Sequence, residues 1–196
     1  MMATTHALFG MALGAVALFV APEYAAVAIA AGGVGGLFPD LDLAGDHRKD
    51  LHFPVYYSFA AAPALALAVL APSATTVAAG VFLASAALHA AGDALGGGLE
   101  LRPWEATSEE AVYDHFHGRW VAPRRWIRYD GAPEDLLAAA AFALPGVLYA
   151  EPLQRVVLLL LGVSMVYALV RKRLVDLGEL LADRLPTGLA AYVPID

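Results

Sequence analysis

The chain contains no cysteine, which excludes disulfides and any thiolate metal site. Lysine is nearly missing, with Lys49 and Lys172 its only two occurrences. Charged residues make up just 16% of the chain, and the net charge is −7. That balance excludes a general nucleic-acid binder, which needs a basic surface. An acid-rich, lysine-poor composition suits a high-salt cytoplasm and a GC-rich genome equally well. No Lys or Arg precedes the first apolar run, so the N-terminal segment lacks the charged start of a secretory signal and reads as a retained span.

What is abundant is apolar sequence. Apolar residues make up 60% of the 196, against roughly 45–50% in a soluble domain. The excess is gathered in runs almost free of charge, over residues 11–21, 24–38, 60–71, 77–91, 136–148 and 156–170. Such runs argue for membrane spans rather than an oversized core. The sequence therefore predicts an all-α integral membrane bundle of about six transmembrane helices plus a C-terminal interfacial helix. Helices are expected over 5–21, 24–38, 53–71, 75–95, 134–149 and 153–170, with breaks at Pro22, Pro39, Pro72, the Gly96-Gly97-Gly98 run and Pro152. Pro63 is expected to kink the third. Residues 1–173 form the membrane domain, with a cytoplasmic loop at 96–133, and residues 174–196 form an amphipathic tail. In that tail Leu174, Leu177, Leu180, Leu181 and Leu185 recur at helical spacing among acidic residues, a pattern suited to a membrane surface.

Loop charge sets the orientation. Eleven of the twelve basic residues fall on one side of this helix map, and Arg155 is the exception. The positive-inside rule makes that side cytoplasmic, with both termini there, in the cell's inner membrane.

The helix map also gathers the polar residues. His6 starts the first helix, and Asp40 and Asp42 follow the second. His47 and His52 lead into the third, and His89 and Asp93 end the fourth. Seven potential ligands from separate segments thus meet at one membrane depth. His89 and Asp93 are i and i+4, so they share a helix face. Ionisable groups at the edge of a span are costly and usually functional. Imidazole and carboxylate without thiolate suit Zn²⁺, Mn²⁺ or Fe²⁺. Seven ligands exceed one tetrahedral site and are about right for a two-metal site, Zn or Mn first, with positions open to water and substrate. Taken singly each residue also has a structural reading, as a helix cap or a solvated loop side chain; His89 fits that reading least. Asp114-His115-Phe116-His117 offers further ligands from the long loop, or plain solvated surface. The arginines and aromatics of 119–129 suit the membrane interface and lipid phosphates, though positive-inside topology alone accounts for their charge.

The series Thr5-His6, Leu37-Phe38-Pro39-Asp40-Leu41-Asp42, His47-Arg48, Leu51-His52 and His89-Ala90-Ala91-Gly92-Asp93 resembles the YdjM-like family of inner-membrane, metal-dependent hydrolases. The likeness covers residues 5–103. It departs at Leu51 and Phe53, where the family has Thr and Ser around its histidine. The resemblance implies metal ligation by His6, Asp40, Asp42, His47, His52, His89 and Asp93, and a distant kinship with zinc-dependent phospholipase C. It does not account for 99–133.

These readings together predict a membrane-bound, metal-dependent hydrolase. The expected substrate is a phosphoester of a membrane lipid, cleaved at the cytoplasmic leaflet. Asp40 is expected to orient water or act as base, and Arg48 to neutralise the developing charge. The expected partners are the lipid substrate and the bilayer. Two other readings are a metal-ion or small-solute transporter, whose site belongs near the bilayer midplane, and a metal-stabilised scaffold without catalysis, whose ion would have a closed ligand shell.

Overall fold

The computed structural model describes residues 1–42 and 45–182. The chain is helical, with a two-stranded hairpin as the sole sheet among the described residues. The helices are α1 (Ala3–Gly14), α2 (Ala17–Val20), α3 (Ala25–Leu37), α4 (Pro54–Leu70), α5 (Ala74–Gly92), α6 (Pro133–Ala143) and α7 (Leu153–Ala182). Local chemistry explains their starts. Pro54 and Pro133 occupy first-turn positions, where the missing N–H costs nothing. Ser73 and Thr76 form a reciprocal capping box at the start of α5.

Four segments are long and apolar enough to cross a membrane: Ala3–Val20, Pro22–Leu41, Ala74–Leu95 and Leu153–Leu181. Pro54–Leu70 is equally apolar but shorter. Composition is inverted relative to a soluble protein. Large side chains such as Phe19, Val69, Leu70 and Leu169 are 77–83% exposed, while Ala7, Ala28, Ala86 and Ala90 are fully buried. Small residues inside and large apolar ones outside are the pattern expected where lipid is the solvent. A membrane location accounts for both features.

The helices pack in the order α4–α5–α3–α1, and α6 and α7 close on the other side of α1. Gly10 and Gly32 set the α1–α3 spacing. A Cβ on either would collide with the backbone carbonyl of the other, so the two backbones touch directly. Ser85 on α5 donates to the Gly32 carbonyl at 2.7 Å, which ties a third helix to the same point. On the other side the buried Asp135 of α6 accepts from the Met2 N–H at 2.7 Å, the Thr5 hydroxyl at 2.8 Å and the Gly131 N–H at 3.0 Å. That carboxylate anchors the first turn of α1, and with it His6, satisfying donors that a helix start leaves unpaired.

Three expectations change. The first predicted helix breaks after Gly14, and its second part tightens through i→i−3 bonds such as Leu18 to Ala15 and Phe19 to Val16. The last helix does not stop near 170. It continues unbroken to Ala182, because no proline or glycine pair interrupts its leucine spacing, so residues 174–182 extend α7 rather than forming a separate interfacial helix. Residues 183–196 of the predicted tail, with Leu185, lie outside the described residues. The long loop also contains β1 (Val112–Asp114) paired antiparallel with β2 (Arg119–Val121), which apolar periodicity does not reveal in so short a stretch.

Candidate metal centre

The site forms where the ends of α3 and α5 meet the 45–52 loop and the first turn of α1. After α3 the chain tightens into a 3₁₀ turn, Phe38–Leu41, that carries Asp40. His89 lies on the last turn of α5, and Asp93 opens the 3₁₀ turn that follows it. His52 ends the loop that enters α4.

Asp40, His52, His89 and Asp93 each aim one ligand atom at a common point, and these atoms lie within 4.8 Å of one another. His52 Nε2 is 3.2 Å from Asp93 Oδ2 and 3.6 Å from Asp40 Oδ1. His89 Nε2 is 3.4 Å and 3.3 Å from the same two oxygens. Donors about 2.0–2.2 Å from a tetrahedral zinc ion lie about 3.3–3.6 Å from each other. The four imidazole–carboxylate spacings therefore suit neighbouring ligands of one ion, and the whole set lies within 4.8 Å.

Hydrogen bonding gives an independent reason to place a cation here. His52 Nε2, His89 Nε2 and Asp93 Oδ2 are buried and make no hydrogen bond. Buried polar atoms without partners are rare and costly. The opposite edge of each ring is satisfied. His89 Nδ1 donates to the Gly36 carbonyl at 2.6 Å, and His52 Nδ1 to Asp42 Oδ2 at 3.0 Å. With the proton on Nδ1, each Nε2 lone pair faces the centre, an arrangement metal-binding histidines commonly use. Burial alone would lower the His52 pKa, but Asp40 and Asp93 outweigh burial and hold it above the ordinary value. The charge those carboxylates attract is the charge a cation would supply.

The remaining predicted ligands surround this group rather than entering it. Asp42 spends both oxygens on neighbours: the His47 ring at 2.8 Å, the His52 ring, and the Arg48 N–H at 3.0 Å. In this arrangement it orients histidine. His47 is half-exposed and turned to Asp42. His6 stacks on the His89 ring, with centroids 3.7 Å apart, and its Nε2 bonds Asp93 Oδ1 at 3.2 Å, which turns the other Asp93 oxygen inward. Seven candidates thus resolve into four converging donors and three supports, and the four form one ion-sized group among the described residues.

Arg48 adopts a left-handed backbone, with φ of 58°, which non-glycine residues rarely do. The Asp42 bond to its N–H and the Tyr113 N–H bond to its carbonyl, at 2.9 Å, hold it there. Its guanidinium donates to the Gly97 and Ala111 carbonyls and lies 3.9 Å from Asp93. His115 and His117 are engaged elsewhere, His115 on the Lys49 carbonyl and His117 on Asp114.

A cavity of about 340 Å³ adjoins the group, lined by Asp40, His47 and Arg48 on one side and by Asp130, Tyr167 and Arg171 on another. Asp40 is 20% exposed, whereas the other three converging side chains are at most 2% exposed. The centre therefore opens outward past Asp40.

Comparison with family models, characterised proteins and solved structures finds no match to this chain. The case for the site accordingly rests on its own geometry. Sequence reasoning did not find the Gly36 carbonyl, Asp135 or the Asp130–Tyr167–Arg171 group. Only Tyr167 and Arg171 carried a signal, as polar residues four apart on a helix.

Proposed function

We propose that this protein is a multi-pass membrane hydrolase that cleaves a phosphoester of a membrane lipid at the cytoplasmic leaflet with a bound divalent cation, Zn²⁺ or Mn²⁺. The observation that carries the reading is a group of four converging donors, three of them buried, whose fourth, Asp40, lines a cavity that Arg48 also lines. Four protein donors alone would close a tetrahedral shell, so this reading requires a further coordination position for water on the side of Asp40, the one exposed donor. The position of the group at helix ends, rather than at helix midpoints, favours an interfacial substrate over a transported solute. The motif likeness to YdjM-like hydrolases agrees with this reading.

In this proposal six spans cross the membrane with both termini cytoplasmic. The four long segments are joined by Pro54–Leu70 and by α6 with its 3₁₀ extension to Leu148. The latter pair is about 26 Å long, close to the thickness of the hydrocarbon core. All the basic residues but Arg155 then fall on the inner side.

A bound cation supplies positive charge that polarises a phosphoryl oxygen and acidifies water. The protein's own groups do the rest. Asp40, at the cavity face, orients the attacking water and takes its proton. Arg48, fixed by two loop carbonyls, donates to the phosphoryl oxygens as charge builds on them. Asp42 and the Gly36 carbonyl keep the histidine rings from turning.

The test is elemental analysis of the purified protein, then phosphate or head-group release from inner-leaflet phospholipids and polyprenyl phosphates with Zn²⁺ or Mn²⁺ supplied. We expect stoichiometric transition metal in wild type, none in His89→Ala, and lipid turnover that requires the metal. Efficient cleavage of a soluble ester, peptide or nucleotide with no lipid cleaved would refute the lipid assignment. Absence of metal from folded wild type would refute the site.

A further inference from the structure

The cavity beside the metal centre has a second polar wall that the hydrolytic reading does not use. On α7, Arg171 donates through Nε to Asp130 Oδ2 at 2.7 Å, and the Tyr167 hydroxyl bonds the same oxygen. These three residues line the cavity together with Asp40, His47 and Arg48. Both terminal nitrogens of Arg171 are without a protein acceptor among the described residues. The guanidinium is thus gripped by one edge and presents the other. Its plane is further steadied by Trp104, whose ring centre is 5.6 Å away.

Arg48 is held differently, with its Nε 3.9 Å from Asp93. One terminal nitrogen is spent on the Gly97 and Ala111 carbonyls, and the other makes no protein hydrogen bond among the described residues. Two cavity-lining arginines therefore keep terminal N–H donors free, one nitrogen on Arg48 beside the metal centre and both on Arg171 of α7. Arg48 lies 3.9 Å from Asp93 of the centre, whereas Arg171 pairs with Asp130 and with none of the four converging donors. Guanidinium forks match phosphate and carboxylate oxygens in pairs. The cavity volume of about 340 Å³ is at the small end for ligand pockets. It accommodates a head group but not acyl chains. Val163 of α7 lines the cavity and is 47% exposed, which gives an acyl chain an apolar exit.

We infer that Arg171 recognises a second anionic group on the substrate's head group, beyond the phosphoryl group held at the Asp/His centre, so that the preferred substrate is a lipid diphosphate or a comparably doubly anionic lipid. This inference rests on the phosphoester reading above. In it the Asp130 carboxylate keeps Arg171 in place when the cavity is empty, and the free edge of the fork takes the incoming oxygens.

The test is binding, separate from turnover. Full-length, metal-loaded protein in zwitterionic detergent is titrated with non-hydrolysable decyl phosphonate, decyl bisphosphonate and inorganic pyrophosphate. The fluorescence of Trp104, in a background where Trp120→Phe and Trp126→Phe leave it the one tryptophan, is the readout, because this ring lies against Arg171. Wild type should bind the bisphosphonate at least tenfold more tightly than the monophosphonate. Arg171→Gln should remove that preference by weakening bisphosphonate binding alone. Arg171→Lys, which keeps the charge but not the fork, should retain an intermediate preference and guards against misfolding of the glutamine variant. Lys172→Gln, whose ammonium also lies over Trp104 but does not line the cavity, should leave the preference unchanged. Equal wild-type binding of the two lipids, or equal weakening of both in Arg171→Gln, overturns the role of Arg171 while the phosphoester reading stands. Binding of neither lipid overturns both. Pyrophosphate binding as tight as that of the bisphosphonate lipid overturns the lipid origin of the second anion.

Discussion

Replacing Asp42 with asparagine separates a ligand from a support. The carboxylate accepts from His47 Nδ1, His52 Nδ1 and the Arg48 N–H, and it supplies no atom to the converging group. Asparagine keeps one acceptor oxygen and turns the other position into a donor. The asparagine oxygen best serves the two donors that share one side, His52 Nδ1 and the Arg48 N–H, so His52 exchanges a carboxylate for a neutral, weaker acceptor and His47 faces an amide N–H. Removing an outer partner of a metal-binding histidine typically costs about 10–100-fold in metal affinity, or about 1.4–2.7 kcal/mol. Removing a ligand costs far more. Competition titration against a calibrated chelator, with protein-bound zinc counted by elemental analysis, distinguishes the two. Asp42→Asn should still bind one equivalent of metal at a 10–100-fold higher Kd, whereas His89→Ala and Asp93→Ala should bind none under the same conditions. If Asp42→Asn loses its metal as completely as His89→Ala does, Asp42 is a ligand and the division into four donors and three supports is wrong. An unchanged Kd would show that the histidine rings need no orienting carboxylate.

Three further outcomes follow from particular contacts. Gly32→Ala places a methyl group on the Gly10 carbonyl, so the α1–α3 contact must open; overpacking of this kind costs about 1–3 kcal/mol, and thermal unfolding in detergent should report the loss, with an unchanged midpoint ruling out the backbone contact. Arg48→Ala should lower turnover about 10²–10³-fold, as for loss of one donor to a developing oxyanion, without lowering metal content; loss of metal in this variant would place Arg48 in the metal site instead. Because the chain has no native cysteine, single cysteines at Ser73 and Ser108 report topology cleanly: Ser73→Cys should label from outside and Ser108→Cys only from inside, and the reverse pattern would refute the orientation.

Composition and local periodicity decided the helices. Apolar runs almost free of charge suit a membrane, where unpaired backbone groups are intolerable and a helix satisfies them within the segment. Proline and the glycine run then punctuated the helices, and the placement of His6, Asp40, His52, His89 and Asp93 at the same ends of those spans made a shared site legible before any coordinates. The roles within that site were not legible. Whether a histidine binds an ion depends on what holds its other nitrogen, and for His89 that partner is the Gly36 carbonyl, 53 residues away. Whether a carboxylate is a ligand or an orienting group depends on where both oxygens point, which separated Asp93 from Asp42. Nor could the sequence bring α7 to the site. Arg171 reads there as one more inner-face cation, and only the packing of α7 beside α1 puts it on the wall of the cavity that Asp40 and Arg48 also line. Helix formation is a short-range matter of hydrogen bonds and apolar spacing along the chain, whereas the direction of a side chain in a site is set by neighbours that only the tertiary fold supplies.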